Sequence, residues 1–308
     1  MANSAADLIT APQSNSVTNA VLADMLAPSL KGRYTAGTGD PEDLTPNQAL
    51  SVLGVVTRGS IDGLITSRPS TTTVTVAAGA ARDSTDATTI VLAASVTKTL
   101  QTSGAWTAGT GNNGLDTGAR TASNTYHVFV ISNAAGTLTD VIVSLSATSP
   151  TMPTGYTLKR RVASVVVGSA NTIFDYVQYG DTFLWLSPFL DVNATNPGTA
   201  AVTRSLSAPT GVVVEAIMGV ALINANATAD MPASVYISAL ALTDNAAAQA
   251  QYMSVLSYVT QANAQVGALV RCFTNTSAQV RSRLQISAAG TILLIGTHGW
   301  VDARGKNA

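Results

Sequence analysis

The chain has 308 residues, of which 46% are hydrophobic and only 11% are Asp, Glu, Lys or Arg, with a formal net charge of −1. Ordinary globular chains carry about 25% charged residues. The near-neutral balance excludes a sequence-independent nucleic-acid binder, which needs a basic stripe to neutralise phosphates. A chain poor in charge and dominated by Ala, Thr, Ser, Val and Gly favours packed β-structure with hydroxyl-rich faces, typical of a structural or adhesive module.

The length allows two domains, or one domain and a tail. With Cys272 as the single cysteine, an intrachain disulfide and a cysteine-based zinc site are both excluded. The first residues lack the basic and apolar regions of a signal peptide, and the longest apolar stretch, 212–223, is too short to span a bilayer. We therefore expect a protein that folds in a cytoplasm without membrane insertion.

Residues 1–58 predict an N-terminal attachment segment with short helices. Apolar residues recur at helical spacing within 16–25, and 44–54 has Thr45 as a cap, Pro46 at the first helical position and Gly54 as a stop. The stretch 31–43 between them is predicted to be turn-rich. Such helices bury little alone, so we expect them to dock on a partner through Val17, Val21, Leu22, Met25, Leu44, Leu50 and Leu53.

Residues 59–187 predict a β-domain. Apolar and hydroxyl side chains alternate in 71–76, as in a half-buried strand. The runs 126–131 and 140–145 predict a strand pair, with turn residues at 133–136. Further strands are predicted at 161–167, 172–179 and 182–186, and 104–118 is predicted to be a surface loop.

Residues 188–308 predict a second β-domain, with strands at 211–224, 234–242, 268–274, 278–287 and 291–297. The stretch 244–259 fits either a helix or a strand. The predicted fold class is therefore mainly β, with two antiparallel β-sandwich or jelly-roll-like domains after a short helical N-terminal attachment segment.

The strand at 278–287 predicts a polar stripe. Val280, Leu284 and Ile286 would share one face, and the opposite face would carry Gln279, Arg281, Arg283 and Gln285. This stripe is a candidate contact for a glycan or a neighbouring subunit, or else an ordinary solvated sheet face. The aromatic run 183–189 and Trp300 predict either core packing or a stacking and contact surface.

Motifs for catalysis or cofactors are weak. The G-x-G-x-x-G at 109–114 lacks the strand before it and the helix after it that a dinucleotide site requires. His127 lies in an apolar strand and is predicted to be structural, whereas His298 lies close in sequence to Asp302 without an identifiable nucleophile. We predict no enzymatic activity, no metal and no cofactor. A glycosidase pair stays open among Asp175, Asp181, Asp191, Glu215 and Asp230.

Three patches of the chain resemble one family. The N-terminal patch comprises 18–25, 30–33, 37–46 and 48–50; the middle patch comprises 126–131, 140–141, 146–156, 159–161 and 180–185; the last is 297–305. They resemble structural proteins of tailed-bacteriophage virions, especially tail-fibre and fibre-like proteins. The first is similar to a linker before distal fibre domains, and the second to a β-domain of virion proteins.

The resemblance implies a non-enzymatic virion component, assembled in the cytoplasm of a host bacterium and homotrimeric. It would dock on other virion proteins by its N-terminal part and display β-domains, as a short tail fibre that attaches to host-surface glycans. Alternatives are a capsid decoration or head fibre, a baseplate adaptor, and a virion-associated polysaccharide depolymerase. The chain departs from long fibres in being short.

Overall fold

Antiparallel strand pairs build the computed structural model, which describes residues 30–37, 41–45, 48–49, 52–53, 58–225, 234–245 and 265–306. The mainly β prediction is confirmed. All pairings between the named strands of these residues are antiparallel. The strands are β1 Leu30–Gly32, β2 Glu42–Leu44, β3 Ile61–Gly63, β4 Thr66–Ser70, β5 Thr73–Val76, β6 Gly79–Arg82, β7 Thr89–Leu92, β8 Val96–Thr99, β9 Thr125–Ser132, β10 Thr139–Ser144, β11 Leu158–Val166, β12 Tyr176–Tyr179, β13 Thr182–Thr195, β14 Val202–Ser205, β15 Glu215–Asn224, β16 Val235–Ser238, β17 Gln265–Phe273, β18 Gln279–Leu284 and β19 Thr291–Val301.

The chain divides into two units, residues 1–57 and 58–308. In the first unit β1 pairs with β2, where a turn-rich stretch was predicted. Oppositely charged side chains join the two strands: Lys31 lies 2.8 Å from Asp43. A cross-strand ion pair of this kind supports a short hairpin that few apolar contacts would stabilise.

The predicted helical attachment segment is not supported in its expected extent. The first helix, within 16–25, lies outside the described residues. Of the second, Gln48, Ala49 and Val52 have helical backbone. The predicted Thr45 cap is confirmed: its hydroxyl oxygen accepts from the Gln48 amide at 3.4 Å, and Gln48 Oε1 accepts from the Thr45 amide at 2.8 Å.

The second unit contains five sheets within its described residues. Their strand orders are β3-β6-β7, β4-β5-β8, β10-β9-β11, β12-β13-β19-β15-β17 and β14-β18-β16. The predicted hairpin of β9 and β10 is confirmed, with Ser132 opposite Thr139 across its turn.

The predicted domain boundary at 187/188 falls inside β13. This 14-residue strand pairs with β12 at one end and with β19 along most of its length. Residues from both predicted β-domains therefore share one five-stranded sheet. Side-chain packing joins these strands: Phe183 of β13 and Trp300 of β19 stack on each other, with ring centroids 5.2 Å apart and planes within 1°.

That aromatic pair belongs to the core. Trp185 packs against Trp300 at 4.7 Å between centroids, and Phe174 and Phe189 pack in turn against Trp185. The core interpretation of the run 183–189 is therefore confirmed for Phe183 and Trp185, whereas Leu186 is 58% exposed. Inner side chains of β15 and β19, including Met218 and Ile295, continue the same hydrophobic cluster.

The loop after β8 is organised around a buried lysine. Lys98 is fully buried, and its Nζ donates to the carbonyls of Thr107 (2.7 Å) and Gly109 (2.8 Å). The same Nζ lies 3.0 Å from Asp140 Oδ1 and 4.8 Å from the Trp106 ring centroid. Burial lowers the pKa of Lys98, and the Asp140 carboxylate opposes that shift. The first glycine of the G-x-G-x-x-G segment, Gly109, thus supplies one carbonyl to a structural cation.

We expect Lys98→Met to lower the free energy of unfolding by about 3–5 kcal/mol, because it leaves the Asp140 charge buried without its cation. Urea unfolding followed by tryptophan fluorescence measures this. The double variant Lys98→Met/Asp140→Asn should lose less than the sum of the two single variants.

Arg271→Met is the matched control, because Arg271 pairs with Glu215 at 3.5 Å on the surface, with about half of its side chain exposed. It should cost less than about 1 kcal/mol. A Lys98→Met variant as stable as this control would contradict the structural role of Lys98.

Candidate functional site

The predicted polar stripe lies on β18, the central strand of its sheet. Gln279, Arg281 and Arg283 are partly exposed and alternate with three buried residues of the same strand. The two-faced pattern is therefore confirmed for Gln279–Leu284, whereas Ile286, predicted on the buried face, lies beyond the end of the strand and is 42% exposed. Cross-strand register places Tyr236 of β16 opposite Arg283, so an aromatic ring joins the polar face. The sequence alone did not indicate this neighbour, because register depends on which strands pair.

The arginines of the stripe already contact other parts of the chain. Arg281 donates to the carbonyl of Leu242 at 3.0 Å, and Arg283 pairs with Asp244 at 2.7 Å. Gln285 accepts a hydrogen bond from Ser234. The bonds of Arg281 and Arg283 hold the chain after β16 against β18, and that of Gln285 holds the residue before β16. The stripe stays a predicted contact surface, with much of its hydrogen-bonding capacity used internally.

Trp300 does not lie on a surface. Its side chain is fully buried against Phe183 and Trp185. The prediction that Trp300 contacts a glycan or a neighbouring subunit is therefore corrected: the residue ends an inner-facing run of β19. Burial of so large a ring in a core is the commoner use of tryptophan.

The attachment residues are described only in part. Leu44 is 5% exposed, at the end of β2, and Leu53 is 66% exposed. The others lie outside the described residues: Val17, Val21, Leu22, Met25 and Leu50.

An apolar groove runs over the outer face of the five-stranded sheet. Register aligns Leu190, Gly296, Gly219 and Leu269 in one row across β13, β19, β15 and β17. The two leucines are 63% and 65% exposed. Because the glycines between them have no side chains, the row forms a trough with leucine walls, about 480 Å³ in volume. Nothing in the linear sequence indicated this alignment.

His298 lies on this outer face and not with Asp302. A Cβ atom on Gly219 would lie 2.9 Å from His298 Nε2, so the imidazole lies over that glycine. Asp302 is instead buried and pairs with both Nη atoms of Arg161, at 2.5 and 2.8 Å. The structure therefore does not bring the two residues of this sequence pair together as a catalytic unit.

His127 is structural, as predicted. It is 1% exposed, and its Nδ1 lies 2.9 Å from Ser164 Oγ, which also accepts from Arg161. Burial lowers the pKa of His127 to about 4, and the nearby Arg161 lowers it further than Asp302 raises it. The imidazole is therefore neutral near pH 7.

Four of the five acids considered for a glycosidase pair lie in the described residues, and each has its own partner; that of Glu215 is Arg271. Asp175 pairs with Arg68 at 2.6 Å, and Asp191 accepts from Ser207 and Thr297. Burial would raise the pKa of Asp181, but hydrogen bonds from Lys306 and Arg304 hold it below its usual value. Asp230 lies outside the described residues.

The single cysteine is not activated. Burial raises the pKa of Cys272 to about 11, so its thiol stays protonated.

A second cavity, of about 550 Å³, is lined by three arginines: Arg160, Arg161 and Arg304. Arg160 and Arg161 are adjacent on β11, and the strand is bulged between Arg161 and Ala163. Successive residues of a regular strand point to opposite faces, and a bulge redirects side chains.

Comparison with known proteins shows no relationship: no family model matches the chain, and no curated protein matches it. Within the described ranges, no three His, Cys, Asp or Glu side chains are grouped as metal ligands. Among the helices searched there, none has the length and apolar character needed to cross a bilayer.

Acid should destabilise the second unit through His127. The pKa of His127 is lower in the fold than its usual 6.5, so protonation favours the unfolded chain. Its contribution to stability is complete above pH 6.5 and is lost as the pH falls towards 4, up to about 3 kcal/mol. Urea unfolding of the wild type and of His127→Gln, from pH 7 to pH 4.5, measures this. Equal acid sensitivity in both proteins would contradict it.

Proposed function

We propose that this chain is a non-enzymatic structural protein of a tailed-phage virion, a short tail fibre or fibre-like protein that works as a homotrimer. The sequence patches that resemble virion fibre proteins support the family. The observation that carries the proposal is the exposed trough between Leu190 and Leu269, since monomeric proteins rarely leave a contiguous apolar surface uncovered.

The trough suits contact with identical copies. Its two ridges are leucines, and its floor is formed by two glycines with the His298 imidazole over Gly219, so an apolar ridge of a neighbouring subunit would lie between the leucines. A head-to-tail contact of this type closes into a ring when the rotation between copies allows it. Three strand spacings separate the leucine rows, about 14 Å, which leaves room for a row of side chains.

The layered packing fits this role. We infer that the five-stranded sheet and the sheet β14-β18-β16 form a sandwich, because inner residues of both, such as Val220 and Val280, belong to one hydrophobic cluster. One face of the large sheet would then be covered within the subunit and the other by its neighbours. The N-terminal unit would dock on other virion proteins, and the β18 face would contact host glycans.

Purified chain should be a trimer in solution. Multi-angle light scattering at micromolar concentration should report three copies, and Leu269→Asp should shift the mass towards the monomer, because a carboxylate buried in an apolar contact is costly. Leu145→Asp is the matched control, since Leu145 is 55% exposed outside this sheet. A wild-type chain that stays monomeric would contradict the proposal.

The virion location has its own test. Antibodies against residues 58–308 should label intact particles in electron microscopy, and soluble chain should compete with particles for adsorption to host cells. The variant Gln279→Ala/Gln285→Ala should compete less well if the β18 face binds the host. Unlabelled particles would reject the virion assignment, whereas labelling without competition would reject only host attachment.

A further inference from the structure

The arginine-lined cavity carries more positive than negative charge. Three guanidinium groups line it, and among its lining residues one carboxylate, Asp302, is present. Both carboxylate oxygens of Asp302 accept hydrogen bonds from Arg161, so Asp302 neutralises that arginine. Arg304 is held by Asp181, which Nη2 of the arginine approaches to 2.5 Å. Two of the three cations therefore have a close carboxylate partner.

Arg160 is the exception. Its guanidinium is 97% buried and donates to two carbonyl oxygens, of Asp83 at 3.4 Å and of Gly59 at 3.3 Å. The nearest carboxylate, Asp86, lies 3.8 Å away and also pairs with Arg58 at 3.3 Å. Among the described residues, the Nε of Arg160 has no hydrogen-bond partner. The guanidinium of Arg160 therefore has only a distant carboxylate that it shares with Arg58, two long hydrogen bonds and one unsatisfied donor, so its pairing is incomplete.

The electrostatic surroundings point the same way. Burial lowers the pKa of Arg160. The Asp86 and Asp83 carboxylates oppose this shift, whereas the neighbouring Arg161 and Arg304 lower the pKa further. Repulsion between like charges around one cavity decreases when a negative group enters it. Because one cation is incompletely neutralised, a single negative charge is the expected complement.

The rest of the wall is apolar or small. Phe129, Val212, Val213 and Ala147 line the cavity, beside the hydroxyl of Thr148. The volume is that of a site for a small organic molecule, and it is larger than an inorganic ion requires. A planar carboxylate matches the two-pronged geometry of a guanidinium.

We propose that this cavity binds a small organic carboxylate, whose charged group pairs with Arg160 while its ring or apolar body lies against Phe129 and Val213. The site lies within one subunit and does not depend on the proposed virion role or on trimer formation.

Sodium benzoate is the probe, with benzamide as a neutral ligand of the same shape and inorganic phosphate as a bare anion. Isothermal titration of the full chain should show benzoate binding at least ~10-fold more tightly than benzamide, the difference expected for a charge-assisted hydrogen bond. Benzoate should also raise the Tm in proportion to its occupancy.

Arg160→Gln should weaken benzoate binding at least ~10-fold. The matched control is Arg204→Gln, because Arg204 is a partly buried arginine that donates to Ser282 in another sheet. Should Arg160→Gln fail to fold, Val213→Trp tests the site with all three guanidinium groups intact. Val213 is 56% exposed, and a larger ring there should block the cavity and abolish binding.

Equal affinity for benzoate and benzamide would overturn the proposal, as would binding that Val213→Trp leaves unchanged. Binding of phosphate alone would also overturn it, because that result would assign the cavity to a bare anion. Light scattering of the same samples reports the trimer separately, so failure of one proposal is distinguishable from failure of the other.

Discussion

The buried ion pair between Arg161 and Asp302 joins the sheet β10-β9-β11 to the five-stranded sheet. The two residues are 141 positions apart in the sequence. Arg161 lies on β11, and Asp302 follows directly after β19. Both side chains are at least 90% buried, and two parallel N–H···O bonds hold them. Loss of either partner would leave a charge in the interior, which is strongly unfavourable. The pair therefore fixes the C-terminal residues against β11, where Arg304 and Arg161 form one wall of the arginine-lined cavity.

Although the chain has few charged residues, several of them lie in its interior. Seven charged side chains of the described residues are buried, and they make ion pairs or hydrogen bonds: Arg82, Asp83, Lys98, Asp140, Arg160, Asp302 and Arg304. Buried polar contacts of this kind favour one arrangement of the sheets over others. On the outer face of the five-stranded sheet, the exposed Leu269 of β17 has as its neighbour Arg271, which pairs with Glu215 of β15.

The sequence predicted which residue types could form a site. It did not predict which residues lie next to each other in the fold. The alternation of Gln279, Arg281 and Arg283 predicted one polar face of β18 correctly, because side chains alternate along any strand. The glycine trough depends on register across four strands, and the arginine-lined cavity depends on residues separated by more than 140 positions. The sequence left Trp300 open between core packing and a contact surface, because an aromatic residue near a terminus carries no signal for the strand that covers it.

The sequence by itself determined the mainly β class, the β9–β10 hairpin, the structural role of His127 and the Thr45 cap. Each of these rests on local chemistry: alternation, turn residues, or a side chain that bonds three residues away. Only the tertiary structure decided that β13 crosses the predicted boundary at 187/188 and that strands from both sides share a sheet. Strand pairing joins residues far apart in sequence through backbone groups that are alike at every position, so its partners follow from the packing of the whole core.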